Sequence, residues 1–154
     1  CTTCWKLFSN IVFGTDFSKA ADYAYKWAYG LAKQVGARLH LFHACDINTS
    51  AAGVVMGQAE IENQIQKAKQ KIEKRYIAKM NGYDNFEVEV REGIPYVEIL
   101  KFAREKAGDL IVMAHHTREV DPEKAVLGST VEQVVLRSAC PVASVNHPDK
   151  VADL

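Results

Sequence analysis

Leu110-Ile111-Val112-Met113-Ala114 is five apolar residues without a break. A strand with one wet face alternates apolar and polar side chains. An uninterrupted apolar run this short marks instead a strand covered on both sides, as in the middle of a parallel sheet. Ile11-Val12-Phe13, Leu39–Ala44 and Pro141-Val142-Ala143-Ser144-Val145 are further runs of strand length. Phe86, Val88 and Val90 alternate with Glu87, Glu89 and Arg91, so this strand has a wet face and belongs at a sheet edge.

Helical periodicity fills the spaces between the strands. Ala21, Ala24, Ala28, Leu31 and Val35 step by three and four, with Ser18 as N-cap and Gly36 as the stop. Gly30 inside this helix costs about 1 kcal/mol against alanine, which implies a neighbour packed close to it. Thr49–Gly57 reads as a loop, followed by a long helix with Ile61, Ile65, Ala68, Ile72 and Tyr76 on one face. Pro95 suits the first turn of the next helix, whose core side is Tyr96, Ile99, Leu100, Ala103 and Ala107, with Gly108 as its end. Residues 115–127 form a polar loop, and Gly128-Ser129 opens a last helix carrying Val131, Val134 and Val135. Ser129 and Glu132 have capping-box spacing. The order βαβαβαβαβ, with helix-length connections, implies an α/β fold: an open parallel five-stranded sheet with helices on both faces. Ligands of such sheets sit outside the carboxyl ends of the strands, where the strand order reverses. That picks out Gly14-Thr15-Asp16, His43-Ala44, the segment from Ala114 to Thr117, and Gly128-Ser129-Thr130.

The 154 residues make one domain, 1–154, with a core of about 6–147. Nineteen Lys and Arg balance nineteen Asp and Glu, which argues against a nucleic-acid binder relying on counterion release. From Lys67 to Lys79 there are six basic residues, but the stretch's aromatic residue, Tyr76, belongs to the apolar face and does not interleave with them to stack bases, and a solvated helix face explains them. No apolar run approaches the ~18 residues of a membrane helix. No secretory signal pattern opens the chain, so a cytoplasmic location is expected. Cys1 and Cys4 form a C-x-x-C away from any strand-to-helix turn, with neither the electrostatics of a redox pair nor the further ligands of a zinc site.

Each candidate residue has a structural reading beside a functional one. Asp16 can present its carboxylate to a ligand in the crevice, or it can close an Asx turn ahead of the Ser18 helix. Gly128-Ser129-Thr130 can hold a phosphate on free N–H groups, or Ser129 can simply cap its helix. His43, His115 and His116 offer metal-ligand chemistry, but packed or hydrogen-bonded histidines are the better reading. Tyr23, Tyr25, Trp27 and Tyr29 cover more than one helix face, so some of them must be exposed or at an interface. Neither G-x4-G-K-[ST] nor H-x-G-H occurs, and no catalytic set stands out.

Taken together, these stretches resemble the universal stress protein family along nearly the whole chain. Ile11-Val12-Phe13-Gly14-Thr15-Asp16-Phe17-Ser18 resembles the family's opening strand and Asp-bearing turn. Leu39-His40-Leu41-Phe42-His43-Ala44 resembles its second strand, and Gly93-Ile94-Pro95 its Gly-x-Pro turn. Asp109-Leu110-Ile111-Val112-Met113, Leu127-Gly128-Ser129 and Ala139-Cys140-Pro141-Val142 match its later elements. The resemblance implies strand order 3-2-1-4-5 and a homodimer pairing through the last strand, Pro141–Val145. It also implies a small stress-response regulator that binds ATP or another adenine nucleotide, with or without Mg. Its site would comprise Gly14, Thr15, Asp16, Ala44, Met113, Ala114, Thr117, Gly128, Ser129 and Thr130. ATP-binding members carry G-x2-G-x9-G-[ST]. Here Ala114 and Thr117 replace the first two glycines, and ten residues separate Thr117 from Gly128. A β-branched Thr117 disfavours the positive φ that glycine allows. A dimeric scaffold without ligand, and a slow ATPase, are the alternative functions.

Overall fold

The computed structural model describes residues 7–46, 57–114 and 129–146. Five strands, β1 (Asn10–Gly14), β2 (Arg38–Cys45), β3 (Phe86–Glu92), β4 (Leu110–Ala114) and β5 (Val142–Val145), form one sheet. The spatial order is β3-β2-β1-β4-β5, and every pairing is parallel. All five residues of β4 are buried, as their unbroken apolar run requires. The alternating strand β3 lies at one edge and β5 at the other. Four helices, α1 (Lys19–Val35), α2 (Gln58–Arg75), α3 (Pro95–Glu105) and α4 (Ser129–Arg137), connect the strands, with a 3₁₀ turn at Ile77–Lys79.

Strand alternation divides the interior in two. Ile11, Phe13, Leu39, Leu41, Leu110 and Val112 pack with Ala21, Ala24 and Ala28 of α1 and with Ala68 and Ile72 of α2. Val12, Phe42, Ile111 and Met113 point the other way, onto Ile99 and Phe102 of α3 and Val131 and Val134 of α4. Parallel register sets Phe13 beside Leu41 and Val112, so the two layers run through all three central strands. At the opposite end of the sheet, Asp109 Oδ2 accepts from the backbone N–H groups of Ser9, at 2.7 Å, and Asn10, at 2.9 Å. That carboxylate ties the start of β1 to the start of β4. Among the described residues, no helix is long and apolar enough to cross a membrane.

Helix ends follow local chemistry, with some departures from the periodicity. Ser18 caps α1 by accepting from Ala21 N at 3.0 Å, and Gly36 closes it at φ 68°. Val35 is exposed, and Tyr25 and Ala32 take the buried side of α1 instead. Tyr25 stacks on Tyr29 while Trp27 remains 44% exposed, so the aromatic group divides between core and surface. α3 ends at Glu105, earlier than Gly108 implies. Ala107, expected in the core, is exposed and adopts φ 50°, and Phe102 fills the buried side. α4 contains Ser129 as its first residue, so Ser129 lies inside the helix boundary and not ahead of it. The loop readings over 115–127 and most of 49–57, and the Cys1–Cys4 pair, lie outside the described residues.

Gly30 overturns its expectation, because a Cβ built there meets nothing within 4 Å. Its cost is therefore uncompensated. Gly30→Ala is expected to stabilise the fold by about 1 kcal/mol, read as a raised urea midpoint at unchanged slope. An unchanged or lowered midpoint would contradict this.

Candidate functional site

Beyond Gly14 the chain stays attached to β2, since Thr15 N donates to Phe42 O at 2.9 Å. It then turns sharply. Thr15 Oγ1 accepts from Phe17 N at 3.0 Å, and Asp16 Oδ1 accepts from Ser18 N at 3.0 Å. Asp16 therefore makes the Asx-type contact while its residue remains exposed at the cavity rim. A Cβ at Gly14 would lie 2.6 Å from Ile99 Cδ1 of α3, so a larger residue here requires the end of that side chain to shift.

A cavity of about 250 Å³ opens at the carboxyl ends of β1, β2 and β4. Seven of the sequence-derived candidates line it: Gly14, Thr15 and Asp16 after β1, Ala44 on β2, Met113 and Ala114 on β4, and Thr130 in the first turn of α4. Ser129 precedes Thr130 at the start of the same helix. Thr117 and Gly128 lie outside the described residues. The sequence reading missed the apolar lining, namely Phe42, Pro95, Ile99 and Val131. Alternation could have given Phe42, which points to the same side of β2 as Ala44.

A directional hydrogen-bond chain holds the turn. Arg75 grips both carboxylate oxygens of Asp22, each at 2.8 Å. Tyr76 OH donates to Asp22 Oδ1 at 3.1 Å. With the Tyr76 proton committed, the 2.6 Å contact between Thr15 Oγ1 and Tyr76 OH has threonine as donor. The chain thus runs from Phe17 N–H through Thr15 and Tyr76 to Asp22, each donor polarising the next. Burial pushes the Tyr76 hydroxyl well above its ordinary pKa, and it stays protonated. Phe17, at the free end of this chain, sits at φ 64°. A bulky residue there stores strain on the order of 1–3 kcal/mol, which the surrounding contacts must offset.

His43 Nδ1 lies 2.7 Å from Thr15 O. A carbonyl only accepts, so Nδ1 carries the proton and Nε2 of the neutral ring is an acceptor. Burial lowers the His43 pKa, against the opposing effects of the Thr15 hydrogen bond and nearby Asp16. Burial also lowers that of His40, which is 2% exposed with Nδ1 3.2 Å from Glu87 Oε1. Both imidazoles bind protons more weakly folded than unfolded. Their contribution to stability is therefore full above the unfolded value of about 6.5 and is lost as pH falls from there through the lower folded values. The urea midpoint is expected to drop between about pH 7 and pH 5, less steeply in His43→Asn. An equally steep drop in that variant would contradict the assignment. Among the described residues, no group of three His, Cys, Asp or Glu side chains converges as metal ligands do. His115 and His116 lie outside them.

The chain matches the family model of the universal stress protein family across residues 7–146. A universal stress protein of Methanocaldococcus jannaschii is 31% identical over 146 residues, covering 94% of this chain and 85% of that one. A solved structure of a second protein from that organism superposes with TM-score 0.73 at 26% identity, covering 92% of this chain and 97% of that one. Two more distant structures share the fold. One is a universal stress protein in complex with cAMP, with TM-score 0.61, 23% identity, and 90% and 97% coverage. The other, from Archaeoglobus fulgidus, is in complex with dAMP, with TM-score 0.58, 19% identity, and 90% and 98% coverage. A family match over nearly the whole length, a relative above 30% identity and a sheet of the same architecture agree, and this chain belongs to the universal stress protein family.

Proposed function

We propose that the cavity at the carboxyl ends of β1, β2 and β4 binds an adenine nucleotide, and that the protein acts as a small regulatory binding module in the cell's stress response. The observation carrying this reading is convergence. The Asp16 turn, Ala44, Met113-Ala114 and Thr130 come from separate parts of the chain and line one hollow. Phe42, Ile99, Met113 and Val131 offer an apolar enclosure for a flat base, and the Ala44 backbone offers its polar groups to the base edge. The Asp16 carboxylate would accept from ribose hydroxyls. The opening turn of α4, at Thr130, provides N–H groups and the positive end of a helix dipole for phosphate.

The cAMP and dAMP held by the two distant structures support a ligand with a single phosphate. So does the replacement of glycine by Ala114 and Thr117, which removes positions suited to cradling a longer phosphate chain. AMP is therefore the expected ligand over ATP, and Mg is not required for it. Mass spectrometry of small molecules released from freshly purified protein, with calorimetric titration of AMP and ATP, tests this. A released adenine nucleotide and saturable AMP binding are expected. No released nucleotide and no saturation at millimolar AMP would overturn the reading in favour of the ligand-free scaffold. Turnover of ATP with Mg present would favour the ATPase.

Assembly as a homodimer through β5 has its own support. β5 is an edge strand whose four residues are all half-buried, and the adjoining α4 exposes Val135 and Leu136. An edge strand beside exposed apolar side chains favours pairing with a second copy. Light scattering after size exclusion is expected to give twice the monomer mass, and a concentration-independent monomer would refute it.

A further inference from the structure

A second concavity adjoins the proposed nucleotide cavity at the end of β2, and His43 and Ala44 line both. It is an open groove of about 450 Å³ between the end of β2 and α2. Along β2 the side chains alternate. Ala44 packs with the α3–α4 layer, whereas Cys45 belongs to the α1–α2 layer. The groove's apolar wall is Phe17, Ala44, Cys45 and Ala68. Its polar residues include Lys67 and Lys71, one helical turn apart on α2, and His43. Asp46 is the one carboxylate among the described residues that line it.

We propose that this groove is a second binding site, beside the first, for a small organic anion, one bearing a carboxylate or phosphate monoester on an apolar body. Three observations carry this. First, the charged lining is predominantly cationic although the chain as a whole is neutral. Second, Lys71 Nζ is held 4.5 Å above the Phe17 ring, so one ammonium is partly ordered next to the apolar wall. Third, the strained backbone at Phe17 places that ring 4.5 Å from the His43 ring, where both line the groove. The Thr15–Tyr76–Asp22 chain keeps this turn fixed. The apolar wall would take the body of the ligand and the two ammonium groups its anionic head. At the Asp16–Phe17 turn the two concavities part, Asp16 lining one and Phe17 the other, while His43 and Ala44 border both.

Phenyl phosphate and benzoate, with benzyl alcohol as uncharged control, titrated into ¹⁵N-labelled full-length protein test the site. Saturable shifts of the Cys45, Ala68 and Lys71 amides are expected with at least one of the two anions. Which anion binds more tightly distinguishes the phosphate from the carboxylate source. Binding should weaken about tenfold or more in the double variant Lys67→Met, Lys71→Met and persist in Lys67→Arg, Lys71→Arg. Absence of saturation, equal affinity in the double methionine variant, equally tight binding of benzyl alcohol, or shifts confined to Ala114 and Thr130 would each overturn the proposal. Since Ala68 and Lys71 lie on α2 and line this groove but not the other cavity, their shifts stand apart from whether that cavity binds a nucleotide.

Discussion

Tyr76→Ala is expected to destabilise the fold by about 3–5 kcal/mol, within the range of large-to-small aromatic truncations in a core. Tyr76 is 1% exposed. Its ring meets Phe13 edge-on at 5.5 Å and Tyr25 at 4.8 Å, and lies stacked 6.5 Å from Phe17. Truncation leaves a cavity among three aromatic rings. It also removes the link between Thr15 and the Asp22–Arg75 pair. Tyr76→Phe separates the two effects. It keeps the ring and loses only the hydroxyl, at a cost of about 1–3 kcal/mol for buried partners left without it. Urea unfolding of the two variants measures both quantities. A phenylalanine variant as unstable as the alanine one would show that the hydroxyl, and not packing, dominates. A near-neutral alanine variant would contradict the packing account altogether.

Asp16→Ala is expected to weaken AMP binding about ten- to a hundredfold, the loss of a charge-assisted hydrogen bond worth about 1.5–3 kcal/mol. The fold should lose much less. Asp16 is exposed, and the 3.0 Å bond it accepts from Ser18 N is a local turn contact worth about 1 kcal/mol. Calorimetry on the variant, beside its urea midpoint, separates binding from folding. Unchanged AMP affinity would reduce Asp16 to a turn former.

The legible and illegible parts of this molecule divide along chemical lines. Leu110–Ala114 gave its strand and its central position because burial on both faces demands an unbroken apolar run. Gly14, Thr15, Asp16, Ala44, Ala114 and Thr130 could be placed near one hollow because parallel topology puts all strand ends on one side. Strand order and the identity of the hollow's candidates leaned on family resemblance. Other features have no local signature. Tyr76 and Thr15 are 61 positions apart, and nothing in either neighbourhood announces a shared hydrogen bond. Phe17 at positive φ runs against its own propensity and is held by tertiary contacts. Ala107 takes a left-handed conformation that the adjacent glycine was expected to supply, while Gly108 packs 3.3 Å from Val12 Cγ2 as measured from a Cβ built on it. Gly30 looked like a close-packing site because a helical glycine is costly, but the space beside it is open.

The proposed nucleotide site joins the Asp16 turn, the ends of β2 and β4 and the start of α4. Titration of AMP into ¹⁵N-labelled protein, followed residue by residue, tests whether these parts bind as one. The amides of Gly14, Asp16, Ala44, Ala114 and Thr130 are expected to shift together along a single saturating curve. Independent curves for these residues, or saturable shifts that leave Asp16 and Thr130 unmoved, would contradict it.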